Sequence, residues 1–187
     1  MALTALDPST ALIIIDLQKG IVGLPGIPTI DAVIARASAL TETFRQRGLP
    51  VVLVNVAGSA PGRTEQPRQT SPRPDGWTDL IPELNQQPGD IAVTKRTWGA
   101  FASTDLEAQL KARGVTQVVV AGVATGTGVE ATARQAYEHG FNVTLAIDAM
   151  ADTRPEAHEY SIRCVFPRLG ETGTSQDIID LLPARNA

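Results

Sequence analysis

The sequence predicts an α/β fold in which a mainly parallel sheet carries helices on both faces. Three observations lead there. Short, almost wholly apolar runs alternate with longer stretches of helical period. Those runs lack the polar alternation of a half-exposed sheet, as strands buried on both faces do. The chain has 187 residues, 43% hydrophobic and 19% charged, which suits one soluble domain with a full-sized core. No internal repeat divides it, so 1–187 reads as a single domain.

Taken in order, the expected strands are Ala11–Asp16, Pro50–Val56, Ile91–Lys95, Gln117–Gly122 and Asn142–Ile147, with a short sixth near Leu169–Gly173. Helices are expected between them. Thr29–Arg47 sets Ile30, Val33, Ile34, Ala37 and Leu40 on one face and meets Gly48 as a stop. Thr104-Asp105-Leu106-Glu107 has a capping-box pattern that opens a helix running to about Arg113. Gly128–His139 ends at Gly140, Pro155–Phe166 opens on a first-turn proline, and Ser175–Leu182 closes the chain. The segment 57–85 holds Pro61, Pro67, Pro72, Pro74 and Pro82; it reads as a lid or substrate-binding loop, or else as a poorly ordered surface loop.

Composition removes several classes of function. A formal net charge of -4 without a basic run argues against a nucleic-acid partner. The apolar runs fall well short of the ~20 residues of a membrane span. Met1–Asp7 has neither the basic nor the long apolar region of a signal peptide. The one cysteine, Cys164, has no partner for an internal disulfide, so a cytoplasmic location is the simplest reading. Its neighbours Ile162, Val165 and Phe166 suggest a packed, inert thiol. His139 and His158 have no metal-ligand spacing; neither a metal nor a cofactor is expected. Gly-x-Ser-x-Gly is absent, against an α/β-hydrolase elbow.

Ligands of open parallel sheets bind at the carboxyl ends of the strands. Three groups sit at such ends: Asp16, Lys95 and the turn Gly122–Gly128. Asp16 follows three isoleucines, so desolvation would raise its pKa while Lys95 pulled the other way. Lys95 could balance a substrate carboxylate or a developing negative charge. The turn would present backbone N–H groups suited to an anion. Trp98 and Phe101 could wall an apolar pocket or belong to the core. Thr125 and Thr127 carry hydroxyls, with no base in the sequence dedicated to either.

These residues, in this order and spacing, resemble the isochorismatase-like hydrolase family. The most specific stretches are Ile15-Asp16-Leu17-Gln18, Lys95-Arg96-Thr97-Trp98-Gly99-Ala100-Phe101 and Gly122-Val123-Ala124-Thr125 through Thr132-Ala133. Asp148-Ala149-Met150-Ala151-Asp152 and Phe166-Pro167-Arg168-Leu169-Gly170-Glu171 add to them. The resemblance implies a Rossmann-like, three-layer α-β-α sandwich with a mainly parallel six-stranded sheet, and a cis peptide bond after Val123. It implies Asp16, Lys95 and the position of Gly128 as the catalytic set. Amidase members carry a nucleophilic cysteine where this chain has Gly128, so that route is closed; isochorismatases are similar to this chain in having glycine there. Their enol (vinyl) ether substrate is protonated by the aspartic acid, with no enzyme nucleophile. The resemblance further implies substrate contacts from Gln18, Ile21, Trp98 and Phe101, and from Val123, Ala124, Thr125 and Thr127 in the turn. An arginine of the loop after the second strand is expected to join them, with Arg63, Arg68 and Arg73 as candidates and Arg63 preferred. The partner would be a small molecule, with no nucleic acid or membrane, and the protein a homodimer or larger homo-oligomer.

Other readings stay open at this level. Gly126-x-Gly128-x-x-Ala131 with Asp148 is similar to a dinucleotide fingerprint. The pocket could hydrolyse another small amide or carbonyl compound, or bind a ligand without turning it over.

Overall fold

Each expected apolar run forms a strand. The computed structural model describes residues 3–24, 27, 29–66 and 72–183. Its strands are β1 (Thr10–Ile15), β2 (Val51–Val56), β3 (Ile91–Lys95), β4 (Gln117–Val123), β5 (Asn142–Ala151) and β6 (Glu171–Gly173). They form one six-stranded sheet in the order β3-β2-β1-β4-β5-β6, with every neighbouring pair parallel. The order reverses between β1 and β4, the crevice where such sheets bind ligands.

The period-two geometry of β1 divides the core. Ile13 and Ile15 face one side, with Val129 just before the fourth helix, Ala133 and Ala136 within it, and Leu106 and Leu110 of the third. Leu12 and Ile14 face the other, against Val33, Ala37, Leu40 and Phe44 of the second helix and Ile178 of the sixth. The helices are α1 (Lys19–Val22), α2 (Ile30–Gln46), α3 (Leu106–Ala112), α4 (Glu130–Glu138), α5 (Pro155–Tyr160) and α6 (Ser175–Leu181). Among the described residues, no helix is long and apolar enough to cross a membrane.

Several expectations need correction. The capping box at α3 does not form: the Thr104 hydroxyl accepts from Leu106 N–H and donates to the Ala100 carbonyl, while Glu107 turns to Lys111 and His139. The helix expected from Gly128 is preceded by a π-helical turn, Thr125–Val129, and α4 begins at Glu130. β5 runs past Ile147 to Ala151, because pairing with β4 resumes at Gly122–Met150 beyond a bulge. Cys164 is exposed rather than packed: Ser161 and Val165 of its own turn take the inward positions.

Part of the long segment 57–85 is a strap fastened across the carboxyl ends of β1 and β2. Leu80 bridges Gln18 in antiparallel fashion, and Lys19 and Gly20 donate to the carbonyls of Asp79 and Trp77. The Trp77 ring lies where a side chain at residue 20 would be, which makes Gly20 a close-approach position. The Arg73 guanidinium stacks 3.9 Å above that ring.

At Gly122, φ is 109°, and a Cβ would run into the Ile15 carbonyl oxygen. Gly122→Ala should therefore cost more than about 3 kcal/mol. Urea denaturation of the purified variant checks this; a loss below about 1 kcal/mol would contradict the packing of β4 on β1.

Candidate active site

Asp16 begins where β1 stops. Its φ of 52° turns the chain sharply, a conformation aspartate tolerates better than branched residues. Its N–H still bonds the Val54 carbonyl at 2.9 Å, so the residue is anchored to β2 while its side chain leaves the sheet. Lys95 ends β3, two strands away. The flexible lysine stem spans that gap: Nζ lies 2.8 Å from Asp16 Oδ2 and donates to the Trp98 carbonyl at 2.6 Å. The lysine side chain is 1% exposed and that of the aspartate 9%.

Burial raises the Asp16 pKa from 3.8 to about 6, and the Lys95 ammonium only partly offsets it. The second carboxylate oxygen, Oδ1, is buried with no hydrogen-bond partner among the described residues. An unsatisfied buried carboxylate oxygen is costly, and such groups are found where a ligand or proton is handled.

The third component is an empty position. Gly128 is buried in the π-helical turn after β4, downstream of a cis Val123–Ala124 peptide bond. A Cβ at residue 128 would stand 3.2 Å from Asp16 Oδ2, 3.2 Å from Lys95 Nζ and 3.0 Å from Ile15 Cγ2. Asp16, Lys95 and Gly128 thus converge on one point, as their places at strand ends suggested. What glycine supplies there is space, since its φ lies outside the left-handed region. Thr132 ties the turn to the loop after β3: its hydroxyl donates to the Gly128 carbonyl at 2.7 Å and accepts from Ala100 N–H at 3.1 Å.

The remaining sequence-derived residues are used in different ways. Gln18 spends its amide on the backbone, donating to the Val56 and Trp77 carbonyls and accepting from Val56 N–H. Both its N–H donors are thus taken by backbone, and the residue shapes the rim. Ile21 packs against the α2-side core. Phe101 is core, beside Phe141 and His139. Trp98 is 66% exposed, so it forms no inner wall; the residue serves Lys95 through its carbonyl. Thr125 is fully buried and its hydroxyl meets His158 Nδ1 at 2.8 Å, a partner the sequence did not reveal. Thr127 Oγ1 lies 3.5 Å from the Ala124 carbonyl, too long for a strong bond. Arg63 is exposed, and Arg68 lies outside the described residues.

The dinucleotide reading does not survive this geometry. Gly126 N–H already donates to the Asp152 carboxylate at 2.8 Å, and Asp148 accepts from Ser175 at the start of α6. Among the described residues, no cluster of three or more His, Cys, Asp or Glu could hold a metal ion.

Removing the lysine should expose the cost of the buried carboxylate. Lys95→Met should lower stability by about 3 kcal/mol at pH 8. Without its counterion Asp16 has a still higher pKa, so the folded state binds more protons and the loss should shrink toward pH 5. Chemical denaturation at the two pH values checks the sign; an equal loss at both would refute the coupling.

Comparison with known proteins agrees with this architecture. The Isochorismatase domain model matches residues 10–177. The isochorismatase family protein YwoC of Bacillus subtilis is 40% identical over 178 residues, covering 91% of this chain and 93% of its own. The ureidoacrylate amidohydrolase RutB of Pseudomonas syringae is 29% identical over 178 residues, covering 79% and 72%. The solved structure of an isochorismatase family protein from Burkholderia thailandensis superposes with a TM-score of 0.90 at 39% identity, covering 95% of this chain and 97% of that one. On the fold, the domain match and these relatives, the chain belongs to the isochorismatase-like hydrolase family.

Proposed function

We propose that this hydrolase cleaves an enol (vinyl) ether such as isochorismate by general-acid catalysis, without a covalent intermediate. One observation carries the reading: a buried carboxyl group with its pKa near 6 faces Gly128, where a side-chain nucleophile would otherwise stand. Such a site can lend a proton near neutral pH but has no nucleophile of its own to attack with.

In the proposed reaction the protonated Asp16 gives its proton to the terminal methylene carbon of the enol ether. The ether oxygen stabilises the resulting cation. Water adds to the cationic carbon and returns a proton to the Asp16 carboxylate. The hemiketal then collapses, its C–O bond breaking, to pyruvate and a dihydrodiol acid. Lys95 holds Oδ2, leaving Oδ1 for the proton, and balances charge as the carboxylate ionises. Gly128 leaves room for the substrate or the water. Among the arginines expected to bind a substrate carboxylate, Arg73 is favoured over Arg63, because its guanidinium is held in place on the Trp77 ring. A cytoplasmic homodimer or larger assembly completes the proposal; it would cover the exposed rings of Trp98, Tyr137 and Tyr160.

A second reading, water-mediated hydrolysis of a small amide, is supported by the likeness to the amidohydrolase RutB. There Asp16 would act as a base on water.

Two measurements test the proposal. With isochorismate, Asp16→Asn should reduce pyruvate release about 10²- to 10⁴-fold, with the fold retained by circular dichroism. The pH profile separates the readings by sign. A general acid must be protonated, so kcat/KM should be level below about pH 6 and fall tenfold per unit above it. A rate rising through pH 6 would instead favour the base mechanism.

A further inference from the structure

The turn that carries Gly128 lies between two sets of side chains. Gly128 faces Ile15, Asp16 and Lys95. Two residues earlier, Gly126 faces the opposite group: a Cβ there would lie 3.2 Å from Ala157 Cβ, 3.3 Å from Asp152 Oδ2 and 3.6 Å from Ser161 Oγ. This second group comes from the end of β5, from α5 and from the turn after it.

Its bonds to the turn are specific. Asp152 accepts Gly126 N–H at 2.8 Å and is itself fixed by Arg154 N–H at 3.0 Å. His158 Nδ1 meets the buried Thr125 hydroxyl at 2.8 Å. Ser161 donates to Glu130 Oε2 at 2.7 Å, at the start of α4. The contacts therefore reach Thr125, Gly126 and Glu130, on both sides of Gly128, from a segment that does not touch Asp16 or Lys95 in any described hydrogen bond. A π-helical turn is a local departure from regular helix geometry, often found at functional sites. Here the outer contacts supply side-chain bonds that hold it.

We infer that His158, through Thr125, is a positioning residue that sets the distance between the Gly128 turn and the Asp16–Lys95 pair, with Asp152 holding the adjoining amide. Neither residue forms a described hydrogen bond to Asp16 or Lys95. Loss of the Thr125–His158 bond lets the turn drift from the pair, and catalytic geometry is sensitive to displacements of that size. The inference rests on the site proposed above, but not on its substrate.

The test reads turn placement directly with a reporter thiol at residue 128. The background is Gly128→Cys with Cys164→Ser, which removes the exposed thiol. A sulfur at residue 128 stands beside both the Lys95 ammonium, which favours the thiolate, and the Asp16 carboxylate, which can accept the thiol proton. Its alkylation at neutral pH therefore depends on its distance from the pair. In this background, His158→Leu and Thr125→Val should each slow iodoacetamide alkylation at pH 7 by about fivefold or more, by drawing the thiol away from both members of the pair. His158→Asn, which can offer an oxygen near the Nδ1 position, should restore most of the rate. The Thr125→Val/His158→Leu double variant should be no slower than the slower single one, as expected if both remove one bond. Melting temperatures are recorded alongside. Lower stability with unchanged alkylation in Thr125→Val, the near-isosteric variant, would overturn the inference even if His158→Leu failed to fold. Because the readout needs no turnover, it stands apart from whether isochorismate is a substrate.

Discussion

The site is organised around one buried ion pair that crosses a strand. Lys95 lies in register with Val56 of β2, whereas the last residue of β1, Ile15, is in register with Val54. The lysine must therefore reach across the end of β2 to meet Asp16. That reach requires the end of β2 to be fixed. Gln18 does this by bonding both the N–H and the carbonyl of Val56, and Ala57 N–H bonds the Lys95 carbonyl. Removing two charges from water is expensive, and their attraction offsets this only when geometry and further hydrogen bonds are good. Lys95 has such a bond to the Trp98 carbonyl, while one oxygen of Asp16 has none. The imbalance leaves the cost on the carboxylate, and it appears as a raised pKa.

Around this pair, glycine serves three different needs within seven residues. Gly122 allows the backbone of β4 to press on the Ile15 carbonyl with a positive φ. Gly126 lets α5 approach the turn. Gly128 keeps clear the space beside Asp16 and Lys95. Only the last borders the ion pair; the other two bring the backbone close enough for that space to be bounded. The rim is shaped by a similar substitution of packing for side chain. Gly20 has no side chain, and Trp77 from the strap fills the position, carrying Arg73 with it.

Strand positions were legible from sequence because strands buried on both faces must be apolar along their length. The same rule marked Asp16 and Lys95, which stand where an apolar run meets its first charged group at a carboxyl end. Within the turn after β4, Gly128 was singled out through the family resemblance, whose amidase members carry cysteine at the matching position. Element ends were less visible. The apolar run of β5 is interrupted by Asp148, so its continuation to Ala151 depends on pairing with β4 that no local pattern encodes. At α3, Thr104 has the residues of a capping box, but the neighbouring Ala100 carbonyl takes its hydroxyl.

The amino-acid sequence by itself determined the α/β class and the strand cores, which follow from local hydrophobic period, and it marked Asp16 and Lys95 as charged groups at strand ends; Gly128 was singled out by the family resemblance. Tertiary structure alone decided which side chains point where and whom they meet. It turned the Trp98 ring outward, spent the Gln18 amide on backbone, seated Trp77 on Gly20 and gave Thr125 a partner in His158. The reason is physical: hydrogen bonds and close packing between distant segments depend on ångström-scale placement, which the order of strands and the crossing of helices fix only after the chain has folded.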